Sequence, residues 1–339
     1  MKSYFIRRFL LLIPTLLGIT IIVFLMTRFV PGGPIERALA ESAMMDMQGG
    51  SSGGSGDNAA LSDDQIQQLK EFYGLDKPWY QAYAIWLGNI FRGDLGTSYR
   101  YQEPVLGLIL SKMPISVYYG LFTVIITYLV CLPLGIAKAL KHRGKFDNIS
   151  SIIVFGAYAI PGYALGALLV VFLAARWEWF PMGGFTSDEF EDLSLFGKVK
   201  DLLHHSFLPL ICYLIHQFAF LTMMMKNHLM DNLAADYIRT AVAKGVRFRK
   251  AVVGHAMRNS LIPIATNVGQ NVTIFVTGSF LIETIFDIDG FGLLGFTSIL
   301  DRDYPVVMGV LLVTAFLMLL GNIISDMCVA LVDPRVRFK

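Results

Sequence analysis

The chain has 339 residues, 55% of them hydrophobic and 16% charged, with a formal net charge of +2 and a mean hydropathy of +0.56. A composition this apolar excludes an ordinary soluble domain and places the chain in a bilayer, and a near-neutral balance gives no footing for nucleic acid. Cys131, Cys212 and Cys328 each sit inside an apolar run without C-x-x-C spacing, so they read as small buried hydrophobes, and no metal site is expected.

Taken in order, Lys2, Arg7 and Arg8 precede an apolar run from Phe9 to Val30. At about 1.5 Å per residue that run can cross a hydrocarbon core of roughly 30 Å. A secretory signal peptide is the rival reading, because Ala38-Leu39-Ala40 mimics a cleavage site. The run is longer than a normal signal core and the site lies well past its end, so residues 1–30 are read as a retained membrane helix. Pro31-Gly32-Gly33-Pro34 stops it.

Residues 31–112 contain no spanning segment and are read as an external subdomain carrying Trp79, Tyr80, Tyr83, Trp86 and Phe91. Gly49 to Gly56 is a Gly/Ser tract expected to be a flexible insert. Ser62-Asp63-Asp64-Gln65 has the pattern of a helix start, with Ser62 as cap, and predicts a helix to about Phe72.

Five further apolar runs follow: Ile115 to Leu140, Ile149 to Ala175, Phe207 to Met225, Leu261 to Ile282 and Val306 to Val332. The expectation is an all-α polytopic membrane protein of six transmembrane helices, with a core over 113–332 and a tail at 333–339. Lys138, Lys141, Arg143 and Lys145 crowd one short loop, and the 236–258 loop and the tail are equally basic. The alternate segments carry Glu178, Asp188, Glu189, Glu191, Asp192, Asp287 and Asp289. Lys and Arg mark the cytosolic side, so both termini are expected inside and residues 31–112 outside.

Between the fourth and fifth runs, Asp236 to Pro263 is polar and basic. Tyr237, Ile238, Ala241 and Val242 fall at helical spacing, while Arg239, Lys244, Arg247, Arg249 and Lys250 fall mostly off that stripe. Gly245 breaks the pattern, and a second helical stretch runs to Arg258 before Pro263 opens the next apolar run. The spacing predicts helix, turn, helix on a membrane surface.

Thr240-Ala241-Val242-Ala243-Lys244-Gly245, followed by His255, Arg258, Asn259 and Pro263, resembles the EAA loop of binding-protein-dependent ABC importer permeases. The closest likeness is to the dipeptide, oligopeptide and nickel branch, and within it to permeases of microcin C and oligopeptide importers. Tyr73 to Pro78, Gly93 to Ser98, Glu283-x-x-Phe286 through Leu294, and Asp333-Pro334-Arg335 also resemble that branch. The resemblance implies a type I permease core in which residues 236–258 form the coupling helix that docks on a cytosolic ATPase, with Tyr237 to Val246 transmitting force. It further implies a second, homologous permease, ABC ATPase subunits, an external solute-binding protein and a peptide-like solute. The Glu that names the motif is absent, and Val242 stands where the family often has Arg.

Gly290-x-Gly292-x-x-Gly295 satisfies the dinucleotide fingerprint, but no strand precedes it, and a tight turn or re-entrant segment is the better reading. No G-x-x-x-x-G-K-[ST] occurs, so no nucleotide cofactor is expected in this chain and ATP hydrolysis falls to a partner. Without H-E-x-x-H, a G-x-S-x-G elbow or any converging acid, base or metal set, an enzyme is not expected. Thr266, Gln270, Thr273 and Thr277 share a narrow arc of the fifth run, with Asn267 and Asn271 on its flank. That stripe reads as a wall of the translocation path, or as interhelical hydrogen bonding. His216 and Gln217 are intramembrane candidates for the same path. Gly162-x-x-x-Gly166 permits close helix contact. Asn322 and Asp326 read as an ion-paired or solvated helix end. The alternative function is an ion-coupled secondary transporter or channel acting without an ATPase, with Asp326 and His216 as its ion or proton sites.

Overall fold

A computed structural model describes residues 2–29, 67, 76–276 and 278–332. Among the described residues there is no strand beyond one antiparallel bridge between Thr97 and Pro104. The Gly49–Gly56 tract, the helix expected from Ser62 to Phe72 (residue 67 apart), Thr277 and the Asp333-Pro334-Arg335 tail lie outside the described residues. So do the side chains of Gln270 and Thr273.

The helices are α1 (Lys2–Phe29), α2 (Trp79–Phe91), α3 (Val105–Leu140), α4 (Lys145–Tyr158), α5 (Gly162–Leu169), α6 (Leu195–Ala234), α7 (Asp236–Ala243), α8 (Phe248–Ala251), α9 (Met257–Val276), α10 (Phe280–Ile285), α11 (Phe291–Leu300) and α12 (Tyr304–Val332). Among the described residues four helices are long and apolar enough to cross a membrane: residues Ile6–Arg28 of α1, then α3, α6 and α12. The expected third span is a bent pair. α4 meets the helix running through Gly162–Arg176 at 87°, and counting that pair as one span gives five. The bend falls at Pro161, which lacks an N–H and disfavours helix at Ile160. The expected fifth span is divided between α9, of 20 residues, and the short α10.

Apart from Pro161, prolines of the described helices do not end them. Pro14, Pro114, Pro133, Pro209 and Pro263 all lie inside one. Pro263, expected to open a segment, sits well within α9, which continues from α8 through a π-helical turn at Val252–Ala256. Neighbouring helices and such local adjustments re-satisfy the carbonyls that proline frees in a membrane setting.

The described residues fall in two compact units, one within Met1–Leu10, Lys112–Leu294 and Phe316–Lys339, the other within Leu11–Ser111 and Gly295–Ala315. In the first unit one core gathers Cys131, Leu221, Met225, Leu229, Ile238, Ala251, Ala256 and Ile264. A second gathers Tyr119, Leu208, Cys212, Tyr213, Ile282, Phe286 and Ile288. At Gly162 a Cβ would stand 2.6 Å from the Cys212 carbonyl oxygen, so the Gly162-x-x-x-Gly166 pair does serve close helix contact.

In the second unit the aromatic residues of α2 pack on α1. Phe24 lies 5.4 Å from the Tyr83 ring and 5.7 Å from Trp86, and Thr20 Oγ1 is 3.0 Å from Tyr83 Oη. The Gly93–Ser98 segment is held by one carboxylate. Buried Asp303 accepts from Ser98 Oγ at 2.5 Å, Tyr99 N at 3.1 Å and Arg100 N at 3.2 Å.

Candidate functional site: the basic segment between α6 and α9

α7 leaves α6 at Ala235, whose ψ of 145° turns the chain. Ile238 is 2% exposed in the core formed with α3, α6 and α9, and Ala241 and Val246 pack against that core. Tyr237 and Val242 are 40% and 41% exposed, so only half of the expected four-residue stripe is buried. The reason is angular: Ile238 and Ala241 define one line of contact, and residues 237 and 242 fall on its two flanks.

The helix ends in a Schellman motif. Val246 N donates to Ala241 O at 3.1 Å and Gly245 N to Val242 O at 2.9 Å, with Gly245 at φ +88°. A Cβ on Gly245 would meet nothing within 4 Å, so glycine is needed there for its left-handed backbone and not for space. Thr240, Ala243, Lys244 and His255 are exposed. With Arg247, Phe248, Arg249, Lys250 and Val253, which are exposed too, they form a face that is basic and partly apolar. Arg258, also exposed, donates from Nε to Val332 O at the end of α12, at 3.1 Å.

Beneath this face runs a line of hydrogen bonds. Tyr237 Oη donates to Asn232 Oδ1 at 2.6 Å and accepts from Asn259 Nδ2 at 3.1 Å. Asn232 Nδ2 donates to His228 O at 2.8 Å and to Ser260 Oγ at 3.1 Å, and Ser260 Oγ lies 3.1 Å from the same carbonyl. Tyr237 on α7 is thus connected to α6 at His228, two helical turns before Ala235. Sequence spacing singled out Tyr237 and Asn259, but Asn232 and Ser260 escaped it, since small polar residues in a membrane helix have no periodic signature.

The expected path residues are only partly described. Thr266 is exposed and its hydroxyl returns to Ile262 O of its own helix at 3.1 Å. On the flank, Asn267 Nδ2 donates to Pro263 O at 2.9 Å and lies 3.8 Å from Met224 Sδ. Asn271, buried, donates to Tyr128 Oη at 3.0 Å. His216 is exposed and stacks on Tyr158, with ring centroids 4.5 Å apart, and Gln217 beside it is half-buried. Asp326 pairs with Arg8 at 2.7 Å, as an ion-paired helix end requires.

Besides Asp303, two buried carboxylates were missed. Asp147 accepts from Lys226 Nζ at 2.7 and 2.8 Å, and Lys138 Nζ is 3.2 Å away. Lys138 is therefore no surface loop charge: it is 0% exposed, and also donates to Ser150 and Ser151 hydroxyls at 2.8 and 2.7 Å. The available signal was Asp147 standing as the acid in a basic loop, with Lys226 directly after an apolar run. The other is Glu283, 1% exposed, whose Oε2 accepts from Leu293 N at 2.5 Å near the start of α11. A Cβ on Gly290 would lie 2.6 Å from the Glu283 Cδ. The helix N-terminus in the Gly290-x-Gly292-x-x-Gly295 pattern is thus filled by the chain's own carboxylate, where a dinucleotide fold would receive a phosphate. Burial raises this carboxyl to about 7, against the opposing pull of the Leu293, Gly292 and Ser279 backbone donors and the Ser116 hydroxyl.

Residues 131–338 match the family described as binding-protein-dependent transport system inner membrane component. The chain is 37% identical over 360 residues to the peptidoglycan transport system permease protein YejB of Agrobacterium fabrum, covering 100% of this chain and 99% of the relative. It is 38% identical over 363 residues to the inner membrane ABC transporter permease protein YejB of Escherichia coli O157:H7, covering 100% of both. It is 35% identical over 339 residues to the oligopeptide transport system permease protein AppB of Bacillus subtilis, again covering 100% of both.

Proposed function

Since the chain belongs to the family of binding-protein-dependent transport system inner membrane components, and is thereby a multi-pass membrane permease subunit of an ATP-driven importer, we propose that its solute is a peptide or peptide-like molecule. That solute class rests on the relatives named for oligopeptide, dipeptide and peptidoglycan transport. The chain works beside a homologous second permease, cytosolic ABC ATPase subunits that bind the ATP, and an external solute-binding protein. Six spans, counting α1, α3, the bent pair, α6, α9 and α12, put both termini and residues 236–258 on the cytosolic side.

The observation that carries the coupling role is the double character of α7. Ile238 and Ala241 are seated in the core shared with α3 and α6, while Thr240, Ala243, Lys244 and the Arg247–Lys250 face stand out for a partner. Closure of the ATPases pushes that face, and a helix anchored in the core transmits the push as a rigid-body movement of α3, α6 and α9. Thr266, Gln270, Thr273, Thr277, His216 and Gln217 line the route that this movement opens alternately to the two sides.

The test is capture of the importer through this chain from membranes that carry all its subunits. A nucleotide-hydrolysing subunit is expected to co-purify, and Phe248→Glu is expected to release it while the chain remains in the membrane. Full-rate uptake by this chain reconstituted alone, with no ATPase bound, would establish the ion-coupled carrier instead. The pairing of Asp326 with Arg8 weighs against an ion site at that residue.

A further inference from the structure

Between α4 and α6 lies a cavity of 490 Å³ walled by Phe155, Tyr158, Ala219, Phe220, Met223 and Met224, with Asn227 and His228 at its polar end. We propose that this cavity is a transit subsite that receives an apolar side chain of the solute while Asn227 at its rim meets the peptide's amide groups. The inference deepens the peptide-importer reading and rests on it.

Three observations carry it. The walls are aromatic and thioether surfaces, and methionine, flexible and polarisable, accepts side chains of many shapes, as a permease for varied peptides requires. The Met224 thioether lies 3.8 Å from Asn267 Nδ2, so the cavity wall adjoins the polar flank of α9 and not an isolated apolar surface. The polar end is continuous with the coupling segment: the His228 carbonyl accepts from Asn232, which is bonded to Tyr237 of α7. A side chain seated against Met223 and Met224 therefore stands one short hydrogen-bonded line from the helix that the ATPases push. A lipid tail and a neighbouring permease subunit are the rival occupants, and the following measurement separates both from a transit subsite.

The assembled importer, with all its subunits, is assayed for uptake of labelled trialanine and labelled Ala-Phe-Ala. Ala219→Phe fills the cavity and is expected to lower Ala-Phe-Ala uptake by about tenfold relative to trialanine, the scale at which an apolar pocket discriminates. Met223→Gln preserves volume but replaces the thioether with an amide, and is expected to lower the same ratio by about threefold. Because this second variant leaves the packing intact, it decides the matter if Ala219→Phe fails to assemble. An equal loss of both peptides in Met223→Gln, with the complex intact, would assign the cavity to lipid or to the second permease and overturn the subsite. An unchanged ratio overturns it as well. A wild-type importer that moves neither peptide refutes the peptide reading itself, a result distinct from either of those.

Discussion

Lys226 and Asp147, 79 residues apart, form a closed pair in which both carboxylate oxygens lie within 2.8 Å of one ammonium. Lys138 Nζ lies 3.2 Å from Asp147 Oδ1 as well, so one buried carboxylate balances two buried cations from α3 and α6. Removing the acid leaves both cations without their counter-charge, which for buried pairs costs about 3–5 kcal/mol. Asp147→Ala is therefore expected to be strongly destabilising. Lys226→Met, which leaves Asp147 with Lys138, is expected to cost less. Thermal unfolding of the purified protein in detergent compares them, and a Lys226→Met variant less stable than Asp147→Ala would contradict this account.

Gly245 occupies the left-handed position of the Schellman motif that ends α7. A β-branched side chain there has room but carries about 1–3 kcal/mol of backbone strain. Gly245→Val is expected to reach the membrane in normal amount and to lose most solute uptake, because the strain falls on the helix end to which the proposed mechanism assigns the push. Uptake is measured beside membrane content. Retention of full transport with normal insertion would remove residues 236–258 from the coupling pathway.

Glu283 titrates with its folded value raised from 4.5 to about 7 by burial. The sign follows from linkage: a raised folded value means that the folded state holds its proton more tightly than the unfolded chain. Its stabilising contribution is complete below about pH 4.5 and is lost as the pH rises through 7. The melting temperature of the native protein is expected to fall across that window relative to Glu283→Gln, whose neutral amide does not titrate. Parallel melting curves for the two proteins from pH 4.5 to 7.5 would argue that the donors of Leu293, Gly292 and Ser279 keep the carboxylate ionised.

Asp303 holds three donors of the 98–100 turn on one buried carboxylate. Asp303→Ala leaves a hydroxyl and two amides without that acceptor, each costing about 1–3 kcal/mol where it stays buried. The segment from Gly93 to Gln102 is expected to become the first site of proteolytic cleavage, while Asp303→Asn, which keeps one acceptor oxygen, is expected to resist longer. Timed digestion followed by mass spectrometry reads the difference, and identical cleavage patterns would show that the turn is held by other contacts.

Membrane character, helical class, the Gly245 turn and the helix–turn–helix after Asp236 were legible in the linear order of residues, because hydrophobic run length, proline and glycine placement and i, i+3, i+4 spacing are local properties. Long-range polar partners were not. Asp147, Lys226, Ser98 and Asp303 look like surface residues in a string of letters, and only folding shows that each is buried opposite its complement. The bend of 87° beside Pro161 was also hidden, since a proline ends one membrane helix and sits harmlessly inside another according to which neighbours receive the freed carbonyl.

The order of residues by itself determined that this polypeptide lives in a bilayer as helices and presents a basic helical hairpin between two of them. Those outcomes follow from the transfer energy of side chains and the backbone's need for internal hydrogen bonds. Tertiary structure alone decided which charges are neutralised within the fold, that a glycine-rich turn encloses the chain's own carboxylate, and that Tyr237 is joined through Asn232 to the methionine-lined cavity. Each of these depends on groups far apart in the chain meeting within a few ångströms, a distance that no local periodicity encodes.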